Sequence, residues 1–136
     1  MEKRIIAAKT ENLEEATGFV EQVLARTGCS ARTKLQIRLA VEEIFVNIAD
    51  YAYPSGGGEA ELCCRLLPDP DRIRISFTDS GIPFDPLSRE DADTSEEALL
   101  EREGGLGILL VKRTMDAAEY IRRDGKNILT IEKKLS

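Results

Sequence analysis

Histidine is missing from this sequence of 136 residues. Without an imidazole the chain cannot use a Ser-His-Asp or Cys-His catalytic arrangement, ligate zinc through histidine, or carry a phosphohistidine. Basic residues are outnumbered, with 19 lysines and arginines against 25 aspartates and glutamates and a net charge of −6. This balance argues against binding to nucleic acid or to an anionic membrane, because both partners require a basic face.

Long apolar runs and metal-binding cysteine motifs are missing as well. No stretch approaches the roughly 20 apolar residues of a membrane span, and the N-terminus does not resemble a signal peptide. Only three cysteines are present, and Cys63 and Cys64 are adjacent on a predicted strand, so their side chains should point to opposite faces. A zinc site requires about four ligands at CxxC-type spacing, which is not found. We therefore expect reduced thiols in a cytoplasmic protein.

The composition, 42% hydrophobic and 32% charged, is typical of one globular domain, which we expect to span residues 1–136. Alternating polarity or β-rich composition predicts five strands: 4–8, 59–67, 72–78, 119–123 and 127–134. Asp124-Gly125 is a strong hairpin signal between the last two strands. Apolar stripes and start or stop signals predict helices over these residues: 11 to a stop at 28, 31–52, 108–116 and, weakly, 96–102.

The helix boundaries rest on particular residues. Thr10 and Ser30 are the predicted N-caps of the first two helices, and Gly28 ends the first. The predicted apolar stripe of the second helix, which should be buried, includes Leu35, Leu39, Ile44, Phe45 and Ile48. The element order, β-α-α-β-β-loop-α-β-β, predicts a two-layer α/β (α+β) sandwich. Its sheet should be mixed and mostly antiparallel, with helices on one face.

The first of three candidate motifs lies on the second helix, where Glu43 and Asn47 are four residues apart and share one face. An amide oxygen can coordinate a Mg²⁺ that already carries phosphate ligands. A carboxylate one turn away can accept a proton from a water or hydroxyl that attacks a γ-phosphate. Taken alone, the pair is more typical of the solvated face of an amphipathic helix.

The second motif, Asp79-Ser80-Gly81, follows an alternating strand. A buried aspartate at a strand end can accept a hydrogen bond from an exocyclic amine such as that of adenine, and a glycine lets the backbone approach a flat base. The third motif is a glycine-rich segment, residues 104–107, at the start of a helix, where free N–H groups favour phosphate. Alone, the two motifs also fit an ordinary turn and a flexible loop.

In this order the three motifs resemble the ATP-binding superfamily of gyrase, the heat-shock chaperone ATPase, mismatch-repair ATPases and histidine kinases, which share the Bergerat or histidine kinase-like ATPase fold. The sequence D-x-G-x-P-F-D-P, beginning at Asp79, and the segment G-G-L-G-I, beginning at Gly104, resemble the bacterial anti-sigma factor serine/threonine protein kinases. The resemblance covers nearly the whole chain. It places an ATP lid at about residues 86–103.

The resemblance implies a role for each motif. Asn47 would ligate Mg²⁺, Asp79 would bind adenine, and Glu43 would be the general base that activates a serine or threonine hydroxyl. The remaining implied nucleotide-binding residues lie in the two glycine boxes: Gly81 and Ile82 at the base, and Gly104, Gly105, Leu106, Gly107 and Ile108 around the phosphates. The implied cofactors are ATP and Mg²⁺.

The resemblance also implies partners. The implied substrate is a STAS-domain anti-anti-sigma protein, and the kinase would also sequester a sigma factor, commonly as a homodimer. No direct contact with nucleic acid or a membrane is implied.

Several residues depart from the family pattern. Pro83 replaces a usual glycine, and Asp50 and Tyr51 stand where many of these kinases have a basic residue and a histidine. A threonine usual on the last strand corresponds to Asn127 or Thr130, and the sequence does not decide which would contact adenine. Two other functions stay open: a nucleotide-gated binding module without kinase activity, and an adaptor without a nucleotide site.

Overall fold

The structure, a computed structural model, describes residues 1–69, 71–88 and 106–136. Its five described strands are β1 (Glu2–Ala7), β2 (Glu59–Leu67), β3 (Arg72–Asp79), β4 (Ala117–Arg123) and β5 (Lys126–Lys134). They form one sheet in the order β1-β2-β3-β5-β4, and each neighbouring pair is antiparallel. Strands β4 and β5 are joined through Asp124 and Gly125, whose φ angles of 52° and 76° confirm the predicted hairpin turn.

Three α-helices of the described residues cover one face of this sheet: α1 (Leu13–Leu24), α2 (Ala31–Asn47) and α3 (Leu106–Thr114). The inward residues of the strands are buried, as the alternating burial of β3 shows, and they pack against the apolar side of the helices. This is the two-layer sandwich predicted from the sequence. Within the described residues, no helix combines the length and the apolar character needed to cross a membrane.

The N-terminal cap of α2 is confirmed, whereas that of α1 is corrected. The Ser30 hydroxyl accepts a hydrogen bond from the Thr33 backbone N–H at 3.1 Å. Thr10 instead opens a short 3-10 turn, Thr10–Asn12, and α1 begins only at Leu13 without a side-chain cap. Its last helical residue is Leu24, so the predicted stop at Gly28 is too late.

The buried stripe of the second predicted helix matches the prediction only in part. Ile44, Phe45 and Ile48 are buried as predicted, whereas Leu35 and Leu39 are 55% and 44% exposed and Ile37 and Val41 are buried instead. Ile37, Val41 and Ile44 follow the three- and four-residue spacing of one helical face, and Leu35 is turned about 200° away from Ile37. The sheet and α1 therefore contact the Ile37 face, which leaves both leucines at the surface.

The second predicted helix is two elements. α2 ends at Asn47 and continues as a single π-helical turn, Ile48–Ala52, so the chain remains helical over the predicted range but changes its hydrogen-bonding pattern. The last helix, α3, begins at Leu106, two residues earlier than predicted. The predicted weak helix at 96–102 and most of the predicted lid lie outside the described residues. Among the described cysteines, Cys64 is buried and Cys63 is on the opposite face, as predicted.

Candidate functional site

A cavity opens between the C-terminal part of α2 and the inner face of the sheet. It encloses about 380 Å³, including its mouth. Most of its wall is apolar, and these residues line it: Ile44, Ile48, Ala52, Phe77, Phe84, Pro86, Tyr120 and Leu129. Its other lining residues are Asn47, Asp79 and Asn127, so two side chains predicted as site residues, 32 positions apart in sequence, meet in one cavity. Apolar walls with a few polar groups are typical of a site for a flat organic ring.

Asp79 presents one free carboxylate oxygen at this cavity. Its Oδ1 accepts hydrogen bonds from the Gly81 backbone N–H and from Asn127 Nδ2, both at 2.9 Å. Its Oδ2 has no hydrogen-bond donor among the residues that the structure describes, although the residue is only 6% exposed. A buried oxygen without a donor is costly unless a ligand supplies one. Asp79 is therefore suited to accept a hydrogen bond from an amine on a bound ring.

The structure separates Asn127 from Thr130, the two positions between which the sequence did not decide. Asn127 pairs with Asp79 across β3 and β5 and is buried, and it lines the cavity. Thr130 pairs with Ser76 on the opposite face of the sheet, where their hydroxyls are 3.2 Å apart. Three residues along a strand reverse the direction of the side chain, so only Asn127 can face the cavity.

Gly81 lies against the π-helical turn that follows α2. A Cβ at this position would overlap the carbonyl oxygen of Ala52. The next residue, Ile82, donates its backbone N–H to the same oxygen at 2.9 Å, and its side chain is 50% exposed. Neither Gly81 nor Ile82 lines the cavity. The expectation that Gly81 lies against a bound ring stays a prediction; in the described structure the glycine allows the loop after β3 to contact the end of the helix.

Glu43 and Asn47 lie on successive turns of α2, beside the cavity. The side-chain amide of Asn47 lines the cavity and makes no hydrogen bond to a described residue. Burial, reinforced by the nearby negative charge of Asp50, raises the pKa of Glu43 above its usual value of 4.5. A carboxylate with a raised pKa is better matched to proton transfer near neutral pH than an ordinary one.

The second glycine motif meets the first motif through Gly107. A Cβ at Gly107 would overlap the carboxylate of Glu43, so the Glu43 side chain takes its present position against α3 because residue 107 is a glycine. Gly107 and Ile108 lie in the first turn of α3, with Ile108 buried, and Leu106 is its first residue. The free N–H groups of this turn can bind an anion. Gly104 and Gly105 lie outside the described residues.

Sequence reasoning missed several residues at the cavity. Phe84 and Tyr120 line it, and Arg122 donates to the Gly81 carbonyl oxygen at 2.8 Å. Phe84 lies within the D-x-G-x-P-F-D-P sequence but was given no role, and Tyr120 and Arg122 belong to no local motif. Tyr120 and Arg122 reach the cavity only because β4 pairs with β5, and Phe84 because its loop folds back over β5. Phe84 carried the only available signal, since it follows Asp79 by five residues in a run of turn-forming residues.

The comparisons with known proteins agree with this geometry. The model of the histidine kinase-like ATPase domain family matches residues 6–133. The chain belongs to this family.

Curated relatives of this ATPase domain are kinases. The serine/threonine-protein kinase BtrW of Bordetella bronchiseptica is 27% identical over 93% of this chain and 94% of its own length. The serine-protein kinase RsbW of Halalkalibacterium halodurans is 31% identical over 96% of this chain and 80% of its own.

Solved structures share the fold of the domain. A Mycobacterium tuberculosis chain with RsbU and RsbW domains superposes with a TM-score of 0.66 and 16% identity, covering 99% of this ATPase domain, which spans 33% of that chain. A chain from the SiaB–SiaC complex of Pseudomonas aeruginosa gives a TM-score of 0.63 and 15% identity over 98% of this chain and 89% of its own.

Proposed function

We propose that this chain is an ATP-dependent serine/threonine protein kinase that phosphorylates a STAS-domain anti-anti-sigma protein and sequesters a sigma factor. One observation carries the proposal: Asn47 and Asp79 line a single cavity, and Glu43 lies one helical turn from Asn47, against the first turn of α3. The names of the relatives, all serine or serine/threonine protein kinases, support the same activity.

The residues around the cavity fit ATP. The apolar walls suit the faces of adenine, and the free Oδ2 of Asp79 suits its exocyclic amine. The amide of Asn47, which has no described partner, would ligate Mg²⁺ together with phosphate oxygens. Backbone N–H groups from Leu106 to Ile108 would contact the phosphates at the N-terminus of α3. Bound ATP would supply a γ-phosphoryl group for transfer.

Glu43 would act as the general base. Its carboxylate would take the proton of the partner's serine or threonine hydroxyl while that oxygen forms its bond to phosphorus. The raised pKa of Glu43 makes it a stronger acceptor than an ordinary glutamate, and it is still ionised above that pKa. Gly107 keeps this carboxylate next to the phosphate-binding turn, because any side chain there would displace it.

The partner assignments extend this proposal. The STAS-domain substrate, the sigma factor and the homodimer are taken from the resemblance of the sequence motifs to anti-sigma kinases, and the nucleotide state would select between the two partners. A net charge of −6 would attract the basic face of a sigma factor and make their association sensitive to salt. An association rate that stays constant as salt is added would contradict this electrostatic contribution.

Calorimetric titration of Mg·ATP and Mg·ADP tests the nucleotide site. We expect saturable binding to the native chain and weaker binding to Asn47→Ala. We expect no binding to Asp79→Asn, because the asparagine amide can place an N–H donor where Asp79 offers a free acceptor. Asp71→Asn is the matched control, since this exposed aspartate lies at the start of β3, away from the cavity. Absence of binding to the folded native chain would overturn the proposal.

A second function, a nucleotide-gated binding module without kinase activity, is favoured by one observation. Asp50 occupies a position where many of these kinases carry a basic residue, and its charge acts on Glu43. Incubation with radiolabelled ATP and the STAS-domain proteins of the same genome separates the two functions. If the chain is a kinase, each molecule labels many copies of the partner protein. The Glu43→Gln variant should then still bind ATP but label the partner about 10²- to 10⁴-fold more slowly. A module binds ATP and labels none of them.

A further inference from the structure

Three donors converge on the side-chain oxygen of Asn127. The Tyr120 hydroxyl donates to Oδ1, Arg122 Nη1 donates to it at 3.1 Å, and the Phe84 backbone N–H lies at 3.4 Å. Tyr120 and Arg122 are two residues apart on the edge strand β4, so both side chains are on the same face. Arg122 Nη1 also donates to the Gly81 carbonyl oxygen at 2.8 Å. The edge strand therefore holds both Asn127 and the loop after β3.

These contacts determine the orientation of the Asn127 amide. Its Nδ2 donates to Asp79 Oδ1 at 2.9 Å and to the Ile82 carbonyl oxygen at 2.8 Å. A flipped amide would place its oxygen against these two acceptors and its N–H groups against the Arg122 guanidinium, which has no acceptor. The observed orientation is the one in which every contact joins a donor to an acceptor.

The same contacts leave Asn127 no free group for a ligand. Both of its N–H donors and its oxygen are already used within the protein, and Asp79 Oδ1 accepts two hydrogen bonds. The oxygen left for a base is Asp79 Oδ2. A carboxylate oxygen only accepts, so it favours a ring with an amine at that position over one with a carbonyl.

We propose that Tyr120 and Arg122 are positioning residues that give the cavity its preference for a 6-amino purine nucleotide over a 6-oxo one. They act through Asn127, which holds Asp79 so that a single acceptor faces the ligand. This inference rests on the proposed function, because it concerns the base of the nucleotide bound there. Without the two donors, the Asn127 oxygen keeps only the long contact with the Phe84 N–H, so the Asn127 amide and Asp79 are held less firmly.

Calorimetric affinities for Mg·ATP and Mg·ITP test this inference, because inosine carries a carbonyl where adenosine carries the amine. The native chain should bind ATP at least about tenfold more tightly than ITP, since a carbonyl leaves Asp79 without its donor. In Tyr120→Phe and in Arg122→Gln, this preference should fall about three- to tenfold. Affinity for ADP should fall by the same factor as for ATP, because the change is at the base.

Arg123→Gln is the matched control. Arg123 follows Arg122 on β4, and its side chain is on the opposite face, where it makes no hydrogen bond to a described residue. The Arg123→Gln variant should therefore prefer ATP over ITP by the same factor as the native chain. Thermal unfolding checks that each variant is folded. If Arg122→Gln fails to fold, Tyr120→Phe still tests the inference, because it removes only a hydroxyl.

One result overturns the inference without touching the proposed function: an unchanged ratio of the ATP and ITP affinities in both variants. An equal fall of both affinities is the form of this result that would indicate a change of cavity shape. Failure of the native chain to bind ATP would overturn the proposed function itself.

Discussion

Gly81 shows how one missing side chain connects two motifs. Its Cα faces the carbonyl oxygen of Ala52, and the following N–H bonds to that oxygen. The loop after Asp79 is thereby fixed to the π-helical turn after Asn47. The two sequence motifs to which we assign base recognition and metal binding in the proposed function therefore share one backbone contact.

Substituting two glycines by alanine tests this contact. We expect Gly81→Ala to lower the free energy of unfolding by about 1–3 kcal/mol and to weaken ATP binding, because the new methyl group meets a backbone atom that cannot rotate away. Gly18→Ala, the control in α1, has open space around its Cβ and should raise that free energy by about 0.5–1 kcal/mol. Urea denaturation measures both. An unchanged free energy of unfolding in Gly81→Ala would show that the loop after β3 can move away from Ala52.

Glu43 is held in an environment that favours its neutral form. Because burial and Asp50 raise its pKa in the folded chain, its contribution to stability is present below the ordinary value of 4.5 and is lost as the pH rises through the raised value. A base must nevertheless be ionised to work. Stability and activity at this residue therefore change in opposite directions with pH.

The variant Glu43→Gln tests these opposite pH dependences of stability and activity. Being neutral at every pH, it should unfold at a higher temperature than the native chain at about pH 8, and the difference should disappear near pH 4. Phosphotransfer by the native chain should rise with pH through the raised pKa of Glu43, and Asp50→Asn should move this rise to lower pH. Glu42→Gln, which alters a carboxylate paired with Arg38, should leave the profile in place. A Glu43→Gln variant less stable at both pH values would contradict the assignment.

At the scale of elements, α2 serves the core and the cavity with different faces. Its buried face packs on the sheet and on α1, and its last turns present Asn47 to the cavity. The exposed leucines Leu35 and Leu39 lie on its first half, which carries three basic residues and no acidic one. The apolar stripe in the sequence of this helix did not by itself distinguish these exposed leucines from the core residues.

Two truncations on α2 test which face is buried. Ile37→Ala should lower the free energy of unfolding by about 2–5 kcal/mol, since this side chain is fully buried. Leu35→Ala should change it by less than about 0.5 kcal/mol, because the leucine is 55% exposed. Chemical denaturation of the two variants gives the comparison directly. Equal losses would mean that Leu35 is covered in solution, for example by a second copy of the chain.

Local signals predicted most elements because their information is local. Strand β2 has the predicted bounds, and Ser30 caps α2, since alternation and capping depend on neighbours in sequence. The errors fall where packing decides: the start of α1, the exposed leucines and the change to a π-helix at Ile48. Helix ends depend on a few weak interactions, so tertiary contacts move them easily.

At the scale of the whole molecule, nucleotide binding should raise the free energy of unfolding. A ligand at 100 times its dissociation constant raises the free energy of unfolding by about 2.7 kcal/mol, which for this chain is a rise of about 8 °C in the melting temperature. Mg·ATP should produce this shift in the native chain and in Asp71→Asn, and none in Asp79→Asn. Scanning calorimetry with and without nucleotide measures it. A shift of equal size in Asp79→Asn would place the nucleotide elsewhere.

The sequence by itself determined the architecture of this protein and the residue types from which its chemistry is proposed. The lack of histidine, the spacing of Glu43 and Asn47, and the strand-end Asp79 depend only on residue identity and order. The pairing of Asp79 with Asn127, the contact of Gly107 with Glu43, and the approach of Tyr120 and Arg122 were decided by the tertiary structure. Such contacts join residues far apart in the chain, and only sheet register and helix packing set which of them meet.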